Sequence, residues 1–542
     1  MQEVIVKYSG DLAALGYPTE ILSESYAVLT VPEGDLPGLT GRVEIEYAER
    51  PKRLTLSGYM DQACVTPVRS ERGYNLSGAG VLVAVIDSGI DYRHDDFRNA
   101  DGSTRILALW DQTQNGSPPP GFLYGSEYIR ERLDEALASP DPLAVVPQQD
   151  FVGHGTAVAG IAAGNGRASG GAETGVAPDA SLIAVKLGER DNEKFARTTE
   201  IMRALKYVYD RARAWNMPLA VNLSYGTNDG SHDGKTLFEG FVNDMADRWK
   251  SVIAVPSGNE GNAGHHFRAT LRQGETADAA FTVGASLPEL ALCLWKNSAD
   301  TFSIGVTAPN GVTTGTLRYN NIPSVIHLDG ANLRIEYRQP NHYNQDTAVY
   351  LFLEPESGRT DIPQGVWTLR VGGDTVVDGT FDVWLPTLEA VSDKTAFLVP
   401  SPGLTLTLPS CADKVITVGG YDAGTGAFAP FSGRGYTRDL RVKPDIVAPA
   451  VNVRSCRAGG GYGQYTGTSM AAPYVAGSAA LIMEWGILKS NDPYLYGQRI
   501  KAFLRKGAER SRAMTYPDSR WGYGTLCLSA SMNLLRDYAE GD

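Results

Sequence analysis

The sequence predicts an α/β protein: a parallel sheet flanked by helices, preceded by a small α+β unit and interrupted by an all-β insert. Three observations carry this. Val81-Leu82-Val83-Ala84-Val85-Ile86 is an unbroken apolar run between Gly80 and Asp87-Ser88-Gly89, the pattern of a strand buried on both faces. Similar runs recur at 182–185, 219–223, 252–255 and 415–418, with helical periodicity between them, as over 199–214. From 266 to 408 helix signals are scarce, and short β runs alternate with Gly, Pro and Asn turns.

At the N-terminus, 3–8 and 27–31 read as strands, the second stopped by Pro32. Residues 33–39 hold Gly34, Pro37 and Gly38 and read as a loop with at most one helical turn. Val43-Glu44-Ile45-Glu46-Tyr47 alternates apolar and charged, as a half-buried strand does. The polar, Pro-flanked stretch 50–66 reads as an exposed tail or linker. In the insert, 333–337, 349–353, 366–371 and 381–385 read as strands of a β-sandwich, and the α/β pattern resumes at Cys411. The expected division is 1–60, 61–265, 266–408 and 409–542, with the second and fourth parts forming one domain.

Composition excludes several classes. The 542 residues carry 62 acidic and 49 basic side chains, a net charge of −13. Such a chain is poorly suited to hold phosphate backbones, so no nucleic-acid partner is expected. No unbroken apolar stretch reaches the roughly 18 residues of a spanning helix, so no membrane span is expected. The start, Met1-Gln2-Glu3-Val4, lacks a basic segment followed by an apolar one. No signal peptide is therefore expected, and an intracellular location follows. The five cysteines are scattered, odd in number and free of Cys-x-x-Cys spacing. Reduced thiols are expected, with neither a disulfide framework nor a zinc site.

Three segments carry chemistry. Ile86-Asp87-Ser88-Gly89 ends a buried strand on a carboxylate, which alone is ordinary turn chemistry. Gly153-His154-Gly155-Thr156 sets a histidine between glycines just before a helix pattern. Gly467-Thr468-Ser469-Met470-Ala471-Ala472-Pro473 brings a serine to a helix start, where its plain role is a cap. The same place offers free N–H groups and the positive helix end to a developing oxyanion. Pro473 is expected within the first turn, where it is tolerated. Together the three mean more than each singly. A serine hydroxyl needs a base and the base needs an orienting group, roles open to His154 and Asp87. The order Asp, His, Ser is that of subtilisin. Other signals stay silent. Gly459–Gly463 lacks the Lys-Ser/Thr of a phosphate loop, His265-His266 reads as a surface or hinge pair at the insert boundary, and Cys456 as a buried small hydrophobe.

These blocks resemble the three signature blocks of the subtilisin-like serine proteases, the subtilases. The resemblance implies a subtilisin-like sheet and a serine endopeptidase acting on a protein or peptide substrate, with Asp87, His154 and Ser469 as its triad. Ser257-Gly258-Asn259-Glu260-Gly261 is similar to the segment carrying the oxyanion asparagine, which implies that role for Asn259 and substrate contact at Gly258. Val221-Asn222-Leu223-Ser224-Tyr225-Gly226 resembles the strand that pairs with substrate backbone, which implies substrate contact at Ser224, Tyr225 and Gly226. The first 60 residues resemble a subtilase propeptide, through 26–32 and 43–47. This implies an intramolecular chaperone and inhibitor, cut by Ser469 between about Leu54 and Thr66, and left bound in the active-site cleft. The runs 365–371 and 379–385 are similar to strands of the jelly roll of proprotein convertases. Taken together, the chain is closest to the clostridial germination-associated Csp group. That implies a spore-associated enzyme that activates a cortex-degrading hydrolase by cutting its propeptide. The alternative is a scaffold or sensor that cuts only itself, or not at all. Ala157 stands where the family usually has a second histidine, and the Asp87-to-His154 span carries an extra stretch over 111–142. Gly164 to Gly175 does not reproduce the family's calcium loop, so neither a metal nor a cofactor is expected.

Overall fold

A computed structural model describes residues 2–39, 41–49, 59–188, 196–319, 322–328, 330–341 and 343–541. It divides into two units, Met1–Gly58 and Tyr59–Asp542. In the first, four antiparallel strands lie in the order Thr19–Ile21, Tyr26–Val31, Gln2–Tyr8, Ile45–Glu49. Ala27, Leu29 and Val31 alternate with more exposed neighbours and pack with Val4, Val6, Leu12, Leu39 and Ile45 into one small core. The last strand starts two residues later than the alternation predicts. Val43 is 93% exposed in the preceding turn, and the buried residue is Ile45.

The second unit is built on a nine-stranded sheet, parallel in its centre. Strand Leu82–Asp87 pairs in parallel with Ser181–Lys186 on one side and Leu219–Leu223 on the other. Beyond Leu219–Leu223 come Ser251–Pro256 and Ile416–Asp422, also parallel. All six side chains of Leu82–Asp87 are buried, as the unbroken apolar run requires. Helix Thr198–Ala214 packs on one face through Ile201, Leu205 and Val208. Helices His154–Ala163 and Thr468–Met483 share the core on the other. Two strands, Ile106–Asp111 and Ser126–Ile129, and helix Arg130–Ala138 lie in and beside the extra stretch 111–142, where the sequence reading placed no element.

Helix Thr468–Met483 and the turn after it form the one described helix long and apolar enough to cross a membrane, and 89% of that window is buried inside the fold. A helix apolar all round belongs in a core when protein surrounds it.

The insert is a sandwich of two antiparallel sheets of six and three strands. They share one core that includes Phe281, Leu294, Leu351, Trp367 and Phe381. It is anchored where it leaves and rejoins the nine-stranded sheet. Trp384 stacks with His232, at 4.0 Å between ring centroids, and with His266, at 4.8 Å. Burial pushes the His232 pKa down to about 4. The pair His265-His266 is therefore not at the surface: both are 1% exposed. His266 bridges the Gly403 carbonyl and Asp382, while His265 bridges Glu260 and the Thr395 carbonyl.

Two further expectations are corrected. Within 50–66, residues 50–58 lie outside the described residues, but the rest is not an exposed tail. Tyr59–Gln62 is a helical turn, and Ala63 and Val65 are fully buried in the core of the second unit. Their apolar side chains outweigh the polar average of the stretch. The cysteines are not all reduced either, since Cys64 and Cys527 form a disulfide with Cα atoms 4.8 Å apart. A bridge across 463 positions of sequence leaves no spacing signal, which is why the pattern hid it. Cys293, Cys411 and Cys456 are free and buried.

Candidate active site

Asp87 is the last residue of its strand, at the carboxyl edge of a parallel sheet, where α/β folds place their ligands. Its Oδ1 accepts the Ser88 N–H at 2.7 Å and faces Nδ1 of His154, also at 2.7 Å. The Asp87 side chain is 1% exposed and the His154 ring 31%. Burial disfavours the imidazolium, but the Asp87 charge and hydrogen bond outweigh it and hold the His154 pKa above its ordinary value. The bond also fixes the tautomer: with Nδ1–H given to Asp87, Nε2 is free to accept a proton.

His154 opens helix His154–Ala163, and a residue the sequence analysis did not single out sets the helix in place. The buried carboxylate of Asp150 accepts the N–H of Gly153 and of Thr156, each at 2.9 Å, and the hydroxyls of Ser88 and Thr156. Four donors on one carboxylate tie the histidine helix to the aspartate strand. Its only sequence signal is an acid just ahead of a helix start. Gly155 has a steric reason. A Cβ there would meet the Gly89 carbonyl and Asp87 Cβ, so the glycine lets helix and strand close on each other.

Ser469 is the second residue of helix Thr468–Met483, so its N–H has no intrahelical acceptor. Pro473 is the sixth, outside the first turn where it was expected. Four residues after Ser469, it supplies no N–H to the Ser469 carbonyl. That oxygen is approached instead by the Ser224 hydroxyl at 3.5 Å, which itself accepts Asn222 Nδ2 at 2.8 Å.

Asn259 follows strand Ser251–Pro256. Its Oδ1 accepts both the N–H and the hydroxyl of Thr468, each at 3.0 Å. With the oxygen so committed, the amide NH2 is the end left for a ligand. Glu260 is buried and accepts His265 Nδ1 at 2.5 Å, Asn228 Nδ2 at 3.2 Å and the Leu388 N–H at 2.9 Å.

All eight residues singled out from the sequence, Asp87, His154, Ser224, Tyr225, Gly226, Gly258, Asn259 and Ser469, line one cleft of about 460 Å³. Thr407, which they did not include, closes it between Gly226 and Gly258. A Cβ added to either glycine would come closer than 3.0 Å to its side chain. The insert adds Thr387 and Glu389 to the lining.

Among the described residues, His94, Asp96 and Cys456 are a buried group of ligand type. Their atoms are committed internally: His94 Nδ1 accepts the Asp96 N–H, its Nε2 donates to the Gly461 carbonyl, and the Cys456 thiol and Tyr462 hydroxyl donate to Asp96. The group reads as a polar core cluster.

A hydroxyl at a helix start, an imidazole oriented by a buried carboxylate, and an amide turned toward the same cleft are the parts needed for acyl transfer. The subtilase family model matches residues 78–343 and 399–524. The chain belongs to the subtilase family. The Csp protease B prodomain model matches residues 1–52 of this subtilase. The solved structure of the Clostridium perfringens CspB protease is 36% identical, with a TM-score of 0.82, and the match covers 89% of this chain and 98% of that one. The subtilase is thus of the Csp group. It is 25% identical over 479 residues to the PI-type proteinase of Lactococcus lactis subsp. cremoris, and 24% over 468 residues to a C5a peptidase of Streptococcus pyogenes. These matches take in 79% and 80% of this chain but only 24% and 36% of those much longer proteins.

Proposed function

We propose that the chain is a self-processing serine endopeptidase in which Ser469 is the nucleophile, His154 the general base, Asp87 its orienting carboxylate and Asn259 the side-chain oxyanion donor. The observation that carries this is the meeting of all four in one cleft, with Asp87 and His154 2.7 Å apart. His154 Nε2 takes the Ser469 proton as Oγ attacks the scissile carbonyl, and returns it to the leaving amine. The Asn259 NH2 and the Ser469 N–H hold the oxyanion, and Asp87 stabilises the imidazolium. Extended substrate pairs with the Ser224-Tyr225-Gly226 backbone. Thr407 and the glycines around it favour a small side chain in the pocket between Gly226 and Gly258.

The prodomain is cut by Ser469 and remains in the cleft as product. The cut falls within the expected stretch 54–66, but ahead of Ala63. The Ala63 carbonyl accepts the Leu528 N–H, and the Cys64 carbonyl the Ser529 N–H, so these residues are built into the catalytic core. Residues 54–58 of this stretch lie outside the described residues.

We further read the enzyme as spore-associated, acting by limited proteolysis on a cortex-hydrolase precursor, with a sandwich of jelly-roll class as its insert. The Csp-type prodomain supports the first part. The Cys64–Cys527 disulfide supports a compartment other than a reducing cytosol. Incubating the purified chain with such a precursor, beside Ser469→Ala, tests it. Release of the precursor's propeptide by the first alone supports the reading, and an intact precursor with an otherwise active enzyme removes that substrate.

A further inference from the structure

The cleft has one carboxylate without an ion-pair partner among the described residues. Its lining includes three carboxylates and no lysine or arginine. Asp87 is bound to His154 and Glu260 to His265. The third, Glu389, is exposed and has no ion-pair partner among the described residues. It stands outside the two stretches matched by the subtilase family model, which stop at 343 and resume at 399.

Glu389 is held there by the surrounding fold. It belongs to the helical turn Leu388–Val391. Ahead of the turn, the Leu385 carbonyl accepts Asn228 Nδ2 at 3.1 Å, and the Leu385 N–H is given to the His265 carbonyl at 3.0 Å. At its start the Leu388 N–H is held by Glu260, the residue next to Asn259. At its end Val391 is buried in the sandwich core. So the backbone that carries this exposed carboxylate is held in place at the rim of the cleft. Its charge also reaches His154, adding to the raised pKa there.

We propose that Glu389 is a specificity-determining residue that selects substrates with a lysine or arginine within two residues of the scissile bond. This rests on the endopeptidase reading and deepens it, because the inserted sandwich then supplies part of the substrate site. An exposed carboxylate attracts a nearby ammonium or guanidinium weakly but usefully, and it repels an acidic substrate by as much. Arg53 offers such a side chain to a cut directly after Leu54, at the start of the expected self-cleavage stretch.

The test uses the full chain and quenched fluorescent peptides of one neutral sequence, each with a single lysine, alanine or glutamate at one of the four positions flanking the cut. At low salt, wild type should cleave the best lysine peptide about two- to fivefold better in kcat/KM than its alanine partner. Glu389→Gln should bring that ratio close to one, and Glu389→Lys should turn it toward the glutamate peptide. Added salt should erode the wild-type ratio, since the pair is exposed. Equal lysine-to-alanine ratios in wild type and Glu389→Gln overturn the proposal while leaving the endopeptidase reading intact. If no peptide is cut but intact mass shows the N-terminal segment removed, the retained prodomain fills the cleft; if the mass is also unchanged, the endopeptidase reading fails on its own terms. Binding of the same peptides to Ser469→Ala then reads the charge preference directly, and equal affinities overturn it.

Discussion

Asn259 Oδ1 accepts both the backbone N–H and the hydroxyl of Thr468, the residue immediately before Ser469. The asparagine amide is thereby oriented by the helix that carries Ser469, so amide and hydroxyl are set by one local structure. Asn259→Ala removes the side-chain donor and leaves the Ser469 N–H. The expected loss is about 100- to 1000-fold in kcat, roughly 2.7–4 kcal/mol. Steady-state kinetics on a cleaved peptide check it, and a rate equal to wild type would remove Asn259 from the mechanism.

The raised His154 pKa fixes the sign of the pH dependence. A base must be neutral to act, so kcat/KM should rise with pH along an acid limb centred above the ordinary value of 6.5. Asp87→Asn withdraws the charge that raises it and permits the wrong tautomer. It should lower kcat by about 10⁴ and move any residual limb down. A limb centred below 6.5 in wild type contradicts the assigned role of Asp87.

Asp150 joins the histidine helix to the aspartate strand through four hydrogen bonds. Asp150→Ala should cost about 2 kcal/mol or more in urea unfolding, because it removes a helix-start acceptor and strands buried donors. It should also lower kcat by loosening His154. Unchanged stability and unchanged kcat would show that the helix is positioned by packing alone.

Asp445 is fully buried among Lys443, Lys501 and Arg505, and it also accepts the Thr417 N–H. Burial alone would raise its pKa, but the three cations hold it well below the usual carboxylate range. With the folded pKa depressed, the cluster's stabilisation is present above the unfolded value of about 3.9 and is lost as pH falls through the folded one. Asp445→Asn leaves buried cations without their counter-charge and should destabilise by about 3–5 kcal/mol at neutral pH. Thermal melts at pH 7 and pH 3 check both statements, and a variant as stable as wild type at pH 7 would contradict them.

The Cys64–Cys527 bridge should survive self-cleavage and tie the new N-terminal segment to the start of helix Leu528–Gly541. Cys64→Ser should cost about 2–4 kcal/mol. Non-reducing peptide mapping checks the pairing, and two free thiols at these positions would refute it.

The sheet and the cleft were legible because they rest on short, strong patterns. A strand buried on both faces reads as an unbroken apolar run, and Leu82–Asp87 keeps that form up to the Asp87 carboxylate. The residues that steady the site were not legible. Asp150, Glu260 and Thr407 are common residue types with no periodicity, and their roles arise only where distant segments meet. The same holds for Cys64 with Cys527 and for Glu389, which reaches the cleft from inside the insert. Pro473 shows the limit from the other side. Its motif was read correctly but its place in the helix was not, since a helix start cannot be fixed to one residue from sequence.

The most direct measurement is intact mass of the purified wild-type chain beside Ser469→Ala. The account predicts that wild type loses its N-terminal segment by a cut between residue 54 and Ala63, and that Ser469→Ala keeps the full 542-residue mass. An uncut wild type, or an equally processed Ser469→Ala, would contradict it.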